Sequence, residues 1–220
     1  MRAGGAKARI YGAAMRLFAE SGANAVTVSD LADAAGIARG TIYNNVGQPE
    51  NLFGEIASAL AHEMIWRTEA SMGDLRDPVA RIATGVRLFV RRAHEDQDWG
   101  RFLVRFALAH TALQNLMTEP PARDIQQAIS RGKFTAELSA VPALITMLNG
   151  ATLAAMNAVI HGEQTWRSAG SLTAEFFLRA GGVARTNARK ISRTELPPLA
   201  QKPLKKLSQP ENRIPARERH

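Results

Sequence analysis

A chain of 220 residues with 45% apolar and 22% charged side chains can bury one sizeable core or two smaller ones. It has no cysteine, which excludes a disulfide framework, thiolate metal sites and thiol chemistry, and suits a reducing, cytoplasmic setting. The net charge of +8 and the pI near 10.6 invite a nucleic-acid reading. However, nine Lys/Arg against three acids lie between Ala188 and His220, leaving only +2 for the rest. Any case for nucleic acid must therefore rest on a motif.

Residues 1–6 carry no pattern and are read as disordered. The N-terminus has no uninterrupted apolar segment, so no secretory signal is expected. From Lys7 to Glu20 the apolar residues Ile10, Ala14, Leu17 and Phe18 fall on one helix face, and Ser21-Gly22 ends the pattern. A second helix opens at Thr27, with Asp30 three residues on as an acidic capping box, and Val28, Leu31, Ala32 and Ala35 repeat at helical spacing. Gly36 closes it, and Ala38 to Val46 make a third helix. Pro49 fits the first turn of a fourth, running through Leu52, Phe53, Ile56 and Leu60 to about Ser71. Further helices are predicted over 78–95, 98–117, 121–131, 141–162 and 170–187. No strand or hairpin pattern and no internal repeat is present. From Ile191 onward the chain is rich in Pro, Lys, Arg and Gln and reads as a disordered tail.

The third helix carries the chemistry. At 100° per residue, Arg39, Gly40, Tyr43 and Asn44 share an outward arc flanked by Thr41, while Ala38, Ile42 and Val46 face inward. Arg can grip guanine, Asn can pair with adenine, and the Thr methyl can touch that of thymine. Gly40 lets the backbone approach, and the Tyr43 hydroxyl can reach a phosphate. Thr27 and Ser29 stand at a helix N-terminus, where a phosphate is favoured. This is the layout of a helix-turn-helix reader of duplex DNA. Two helices about a glycine turn also occur in many α-proteins, where such a face is only solvated.

Across about residues 9–57 the chain resembles the TetR family of transcriptional regulators. Leu17-Phe18, Gly22, Thr27-Val28, Leu31-Ala32, Ala35-Gly36-Ile37, Gly40-Thr41-Ile42-Tyr43 and Leu52-Phe53 agree in register without a gap. The chain departs from the family at Asn45-Val46, where a His-Phe pair is common, and at Pro49, where a phosphate-binding Lys is common. The resemblance implies an all-α protein. A three-helix DNA-binding domain (1–50) is followed by a helical ligand-binding and dimerisation domain (51–188) and a basic Pro-rich tail (189–220). The implied role is a homodimeric repressor whose partners are a duplex operator and a small apolar or amphipathic inducer, with no membrane partner. Dimerisation would use helices 141–162 and 170–187, through Gly150, Ala151, Ala154, Ala155, Ala158, Phe176 and Phe177. Trp66, Phe89, Trp99, Phe102, Phe106, Met117 and Met147 are the candidate pocket residues, with His62, His94, His110, Asn115 and Asn149 as polar groups to orient a ligand. Monomer core is the alternative reading for these residues.

Catalytic signals are lacking. His94-Glu95-Asp96 does not share a helix face, no zinc spacing or phosphate loop occurs, and no G-x-S-x-G elbow is present. Neither a cofactor nor a metal nor an enzymatic activity is expected. The competing reading is a helical ligand-binding or interaction module whose helix-turn-helix no longer reads DNA, motivated by Pro49 and the near-neutral body.

Overall fold

The computed structural model describes residues 3–46 and 48–201. Ten α-helices and no strand occur among them: α1 (Ala3–Ser21), α2 (Val28–Ala35), α3 (Arg39–Val46), α4 (Leu52–Met72), α5 (Pro78–Glu95), α6 (Gln97–Phe106), α7 (Thr111–Ser130), α8 (Val141–Ile160), α9 (Trp166–Ala180) and α10 (Arg185–Ser192). Helix α1 begins at Ala3, so residues 3–6 are helical rather than irregular as expected, while residues 1 and 2 lie outside the described residues.

The N-terminal helices pack Ile10, Ala14, Phe18, Leu31, Ala32, Ile42 and Val46 into one core that continues through Leu52 and Ile56. That same core runs on, without a gap, into Phe102, Leu103, Leu113 and Met156 of the larger helical region. A second core, around Ile82, Val86, Ile125, Leu148, Phe177 and Leu178, fills the far end. Helix α4 joins the two regions, preceded by a 3-10 turn at Pro49–Asn51 rather than starting at the proline.

Three boundaries differ from the predicted ones. The segment expected as helices 98–117 and 121–131 breaks instead at Ala107–His110, and α7 runs straight through Pro120-Pro121. Nothing local forces the break. The His110 ring packs on Phe53 at 5.4 Å, and Gln114 Nε2 donates to the Leu108 carbonyl at 2.6 Å, so tertiary contact turns the chain. The helix expected over 170–187 is α9 and α10. Thr165 caps α9 by accepting from the Ser168 N–H at 3.2 Å, and Gly181-Gly182 ends it. Gly182 has φ +97°, and a Cβ there would lie 2.3 Å from the Thr135 hydroxyl oxygen, so glycine is required.

The predicted tail is only partly a tail. Helix α10 ends at Ser192, and residues 196–200 return across α4 as an arm. Leu199 is buried, the Arg67 Nε donates to the Ala200 carbonyl at 2.8 Å, and the Ala200 N–H donates to Ser71 Oγ at 2.8 Å. Residues 202–220, with most of the predicted basic tail, lie outside the described residues. The segment Leu138–Ile160 is apolar and long enough to cross a membrane by length and composition. It packs instead against α5, α6, α7 and α9.

Leu199→Ala is expected to cost about 2 kcal/mol, at the low end for a buried leucine because the arm is short and can collapse. Urea unfolding of the full chain and the variant measures it.

Candidate DNA-reading face and ligand cavity

The helix-turn-helix is built from local signals. The Thr27 hydroxyl accepts from the Asp30 N–H at 3.2 Å, and the Asp30 carboxylate accepts from the Thr27 N–H at 2.8 Å. Those hydrogen bonds to Thr27 hold the Asp30 carboxyl below its usual range. Gly36 closes α2 in the left-handed conformation (φ 64°), its N–H returning to the Asp33 carbonyl and the Ile37 N–H to that of Ala32. Ile42 and Val46 then anchor α3 from below.

On the other side of α3, Arg39, Gly40, Tyr43 and Asn44 are exposed together, Tyr43 by 54%, with Thr41 half-buried beside them. Asn45 is turned back, its Nδ2 donating to the Thr41 carbonyl at 2.8 Å. At the start of α2 the predicted capping box is formed. The Thr27 hydroxyl also donates to Asp30 at 2.6 Å, so this residue is occupied by its own cap, and a carboxylate stands at the helix end. Thr27 is exposed and Ser29 half-buried beside it.

A cavity of about 70 Å³ lies between α4, α5, α7 and α8. Of the predicted pocket residues it is lined by Phe89 and Met117 alone. Trp99 and Phe102 are buried in the core, Phe106 packs on Phe53, Trp66 is half-buried on α4 away from the cavity, and Met147 is 42% exposed on α8. Residue type drew the prediction to the large aromatics, which are needed for packing. The walls are instead Ile65, Ile82, Val86, Leu116 and Leu148, with Pro120 and Pro121. The prolines carry no N–H, so the Leu116 and Met117 carbonyls lack their usual helical donors.

The polar wall is in two parts. Arg81 donates to Glu69 at 2.9 and 3.0 Å and to Asp124 at 2.9 Å. Burial opposes the Arg81 charge, but these two carboxylates outweigh it and raise its pKa, while burial pushes the Asp124 carboxyl up despite Arg81. Opposite stand Asn149 and Thr152, 7% and 3% exposed. Neither side chain is hydrogen-bonded among the described residues, and their polar atoms are not among the fully buried unpaired ones, which are Arg92 Nε and His110 Nδ1. Of the predicted polar candidates only Asn149 reaches this cavity; His62, His94 and Asn115 are exposed, and His110 packs on Phe53.

The predicted interface residues divide. Gly150, Ala151 and Ala154 are exposed on α8, Ala158 is half-buried, and Phe176 of α9 is 57% exposed. Ala155 and Phe177 are buried inside their own chain and are not available to a partner. They lie one residue from the exposed face, a 100° step that helical spacing alone did not resolve.

Residues 10–56 match the family model of bacterial regulatory proteins of the tetR family, and residues 77–194 match that of the tetracyclin repressor-like C-terminal domain. The chain belongs to the TetR family. It is a DNA-binding transcriptional regulator and not an enzyme. RolR, solved in complex with resorcinol, is 26% identical, with a TM-score of 0.66 over 90% of this chain and 98% of RolR. RolR without ligand is 28% identical, with a TM-score of 0.58 over 88% of this chain and 100% of RolR. A putative fatty acid metabolism regulator from Clostridium perfringens, 19% identical, shares the fold with a TM-score of 0.66, covering 78% of this TetR-family chain and 97% of its own. No curated protein matches.

Gly36→Ala tests the turn of this TetR-family reader. A Cβ at Gly36 meets nothing within 4 Å, so the cost is that of the left-handed backbone alone. A loss of about 1–2 kcal/mol is expected, read from hydrogen exchange of the α2–α3 amides.

Proposed function

We propose that this TetR-family regulator is a cytoplasmic homodimeric repressor, released from its operator by a compact amphipathic ligand. The observation that carries the DNA reading is the shared exposure of Arg39, Gly40, Tyr43 and Asn44 over the buried Ile42 and Val46. A rigid inner face presents an outer face with a guanidinium, an amide and a phenol, and nothing in the molecule covers it among the described residues. Two such helices in a symmetric dimer would read half-sites about 34–36 Å apart.

Asn149 and Thr152 support the ligand reading. On the wall of a mostly apolar cavity they offer donors and acceptors to a ligand, with Leu116 and Met117 on the facing helix. At about 70 Å³ the cavity falls far below the 300–1,000 Å³ of drug-sized sites. Even one hydroxylated ring requires this cavity to widen, and RolR, which shares the fold, is known with resorcinol. Binding would favour the spacing of recognition helices that no longer fits the operator, provided that the ligand prefers that state.

The dimer reading rests on an exposed apolar face. Gly150, Ala151 and Ala154 of α8 lie open, and Met147, Leu172 and Phe176 are 42%, 37% and 57% exposed. Small residues allow close approach of helices and the larger ones supply area, the combination expected of an isologous interface.

Gel-shift titration against the DNA flanking the protein's own gene separates the repressor from an interaction module that has lost DNA binding. Arg39→Ala should weaken specific binding by about 1–3 kcal/mol and relax preference at one base position. Tyr43→Phe should weaken all sequences more evenly, through a lost phosphate contact. No sequence-specific shift by the wild type, or unchanged profiles for both folded variants, rejects the reading.

Ala154→Glu should convert the dimer to a folded monomer in sedimentation, because an unpaired carboxylate buried in an apolar interface costs several kcal/mol. A monomeric wild type, or a variant that stays dimeric, places the interface elsewhere.

A further inference from the structure

A second cleft, of about 470 Å³, lies on another side of the molecule between α5, the start of α9 and the segment after α10. Its wall carries Arg87, Arg91, Arg167 and Arg193, with Trp166 and a single acid, Glu195. None of the residues lining the α4–α5–α7–α8 cavity reaches it.

Arg87 is the informative member. It is only 9% exposed, and among the described residues it has neither an ion pair nor a hydrogen bond. Burial without a compensating acid lowers its pKa from the usual arginine value. Its guanidinium nitrogens are not among the fully buried unpaired atoms, so the stem is buried while the cationic head reaches the cleft, where an anion would meet it. Gly170 shows how it is held there. A Cβ at Gly170 would sit 3.4 Å from both Cα and Cγ of Arg87, so α9 lies directly on the Arg87 stem.

Two more guanidiniums are organised by one ring. Arg167 lies 4.3 Å and Arg91 5.4 Å from the Trp166 centroid, cation–π distances that restrain both side chains. Arg91 is also paired with Glu95 at 2.7 Å, so part of its charge is already met. Arg193 is exposed and has no ion pair among the described residues. The basic excess of the wall therefore exceeds what Glu195 can balance. That all four are arginines matters, because the planar guanidinium fork grips carboxylate and phosphate groups bidentately.

We propose that this cleft binds a small organic polyanion, a molecule bearing two or more carboxylate or phosphate groups, at a site separate from the inducer cavity. A cleft of about 470 Å³ lies within the range of small-molecule sites, so a molecule with several anionic groups suits it. A ligand spanning Arg87, Arg167 and Arg193 would tie α5 and α9 to the arm that continues to Leu199 and Ala200 on α4.

Isothermal titration of the full chain with citrate and, separately, with pyrophosphate at constant ionic strength tests the site. At least one probe should bind saturably, one per chain, with Kd below about 1 mM. Preference for citrate assigns a polycarboxylate ligand, and preference for pyrophosphate a phosphorylated one. Arg87→Met, which keeps the buried stem, should weaken binding at least tenfold. Arg193→Ser, at an exposed position that the fold does not need, should weaken it several-fold and decides the matter if Arg87→Met fails to fold. Lys190→Ser removes one charge outside the cleft and should change nothing. Absence of saturable binding by both probes, or equal binding by wild type and Arg193→Ser, overturns the proposal.

Discussion

The Phe53 ring holds the two halves of this protein to each other. It meets Phe18 of α1 at 5.4 Å, Phe102 and Phe106 of α6 at 5.5 and 4.8 Å, and His110 at 5.4 Å. One side chain at the start of α4 thus touches the DNA-reading helices and the ligand-binding helices together. Such aromatic contacts, three of them edge-on and that to Phe102 tilted, add about 0.5–1.5 kcal/mol each beyond burial. The same junction is closed by Arg105, whose guanidinium donates to the Ala19 and Glu20 carbonyls at 2.7 and 2.8 Å, satisfying the end of α1. Gly100 seats the other end of α6, where a Cβ would lie 2.9 Å from Ile160 and 3.0 Å from the Ala93 Cβ. Helix α6 is therefore wedged between α8 and α1 with little room to move independently of either.

Helix α4 supplies the second connection. Its 21 residues span about 31 Å at 1.5 Å each. Leu52 and Phe53 stand at the DNA-reading end, while Thr68, Glu69 and Met72 line the cavity at the other. Between them Glu63 accepts from Arg67 at 3.1 Å and from Arg92 at 3.1 Å, and Arg92 also lies over Trp99 at 4.5 Å. Arg92 is almost wholly buried; burial lowers its pKa, and Glu63 is the charge that opposes the shift. Removing Glu63 would strand a buried cation, so this pair fixes register between α4 and α5 more than it adds stability. A wall displacement at Glu69 would be carried along a helix clamped at Glu63 and again at Phe53. Coupling then requires two discrete positions of that helix, each favoured by one ligand.

The parts that were legible in the sequence are those specified locally. Thr27 with Asp30, Gly36 and the Ile42/Val46 face each follow from neighbours within a few residues, and the structure places them accordingly. The family resemblance rests on the same residues. The break before α7 was not legible, because Ala107–His110 contains no breaker and the turn is imposed by packing on Phe53. Pro120-Pro121 misled in the opposite direction, since tertiary contacts carry α7 through them. Gly181-Gly182 was a readable stop that the apolar pattern of Phe176, Phe177 and Leu178 obscured. Leu199 gave no signal at all, as one leucine after two prolines looks like any linker residue. The cavity was read from bulky side chains, whereas its better markers were Asn149 and Thr152, polar residues within a helix otherwise apolar.

Those two residues bear on why α8 has the composition it has. A surface helix of a monomer turns its apolar stripe inward and its polar residues to water. Helix α8 does both things with apolar residues. Leu144, Leu148, Leu153 and Met156 face the core, while Ala143, Met147, Gly150, Ala151 and Ala154 face out. Asn149 and Thr152, among its few polar side chains, point into the molecule at the cavity. Packing of the single chain accounts for the first set and leaves the other two unexplained. A second copy of the chain across the outer face and a polar ligand group within the cavity account for both. If both hold, the dimer partner stands directly behind the wall that carries Asn149 and Thr152. The partner would then stiffen that wall, and ligand binding would be felt at the interface as well as along α4.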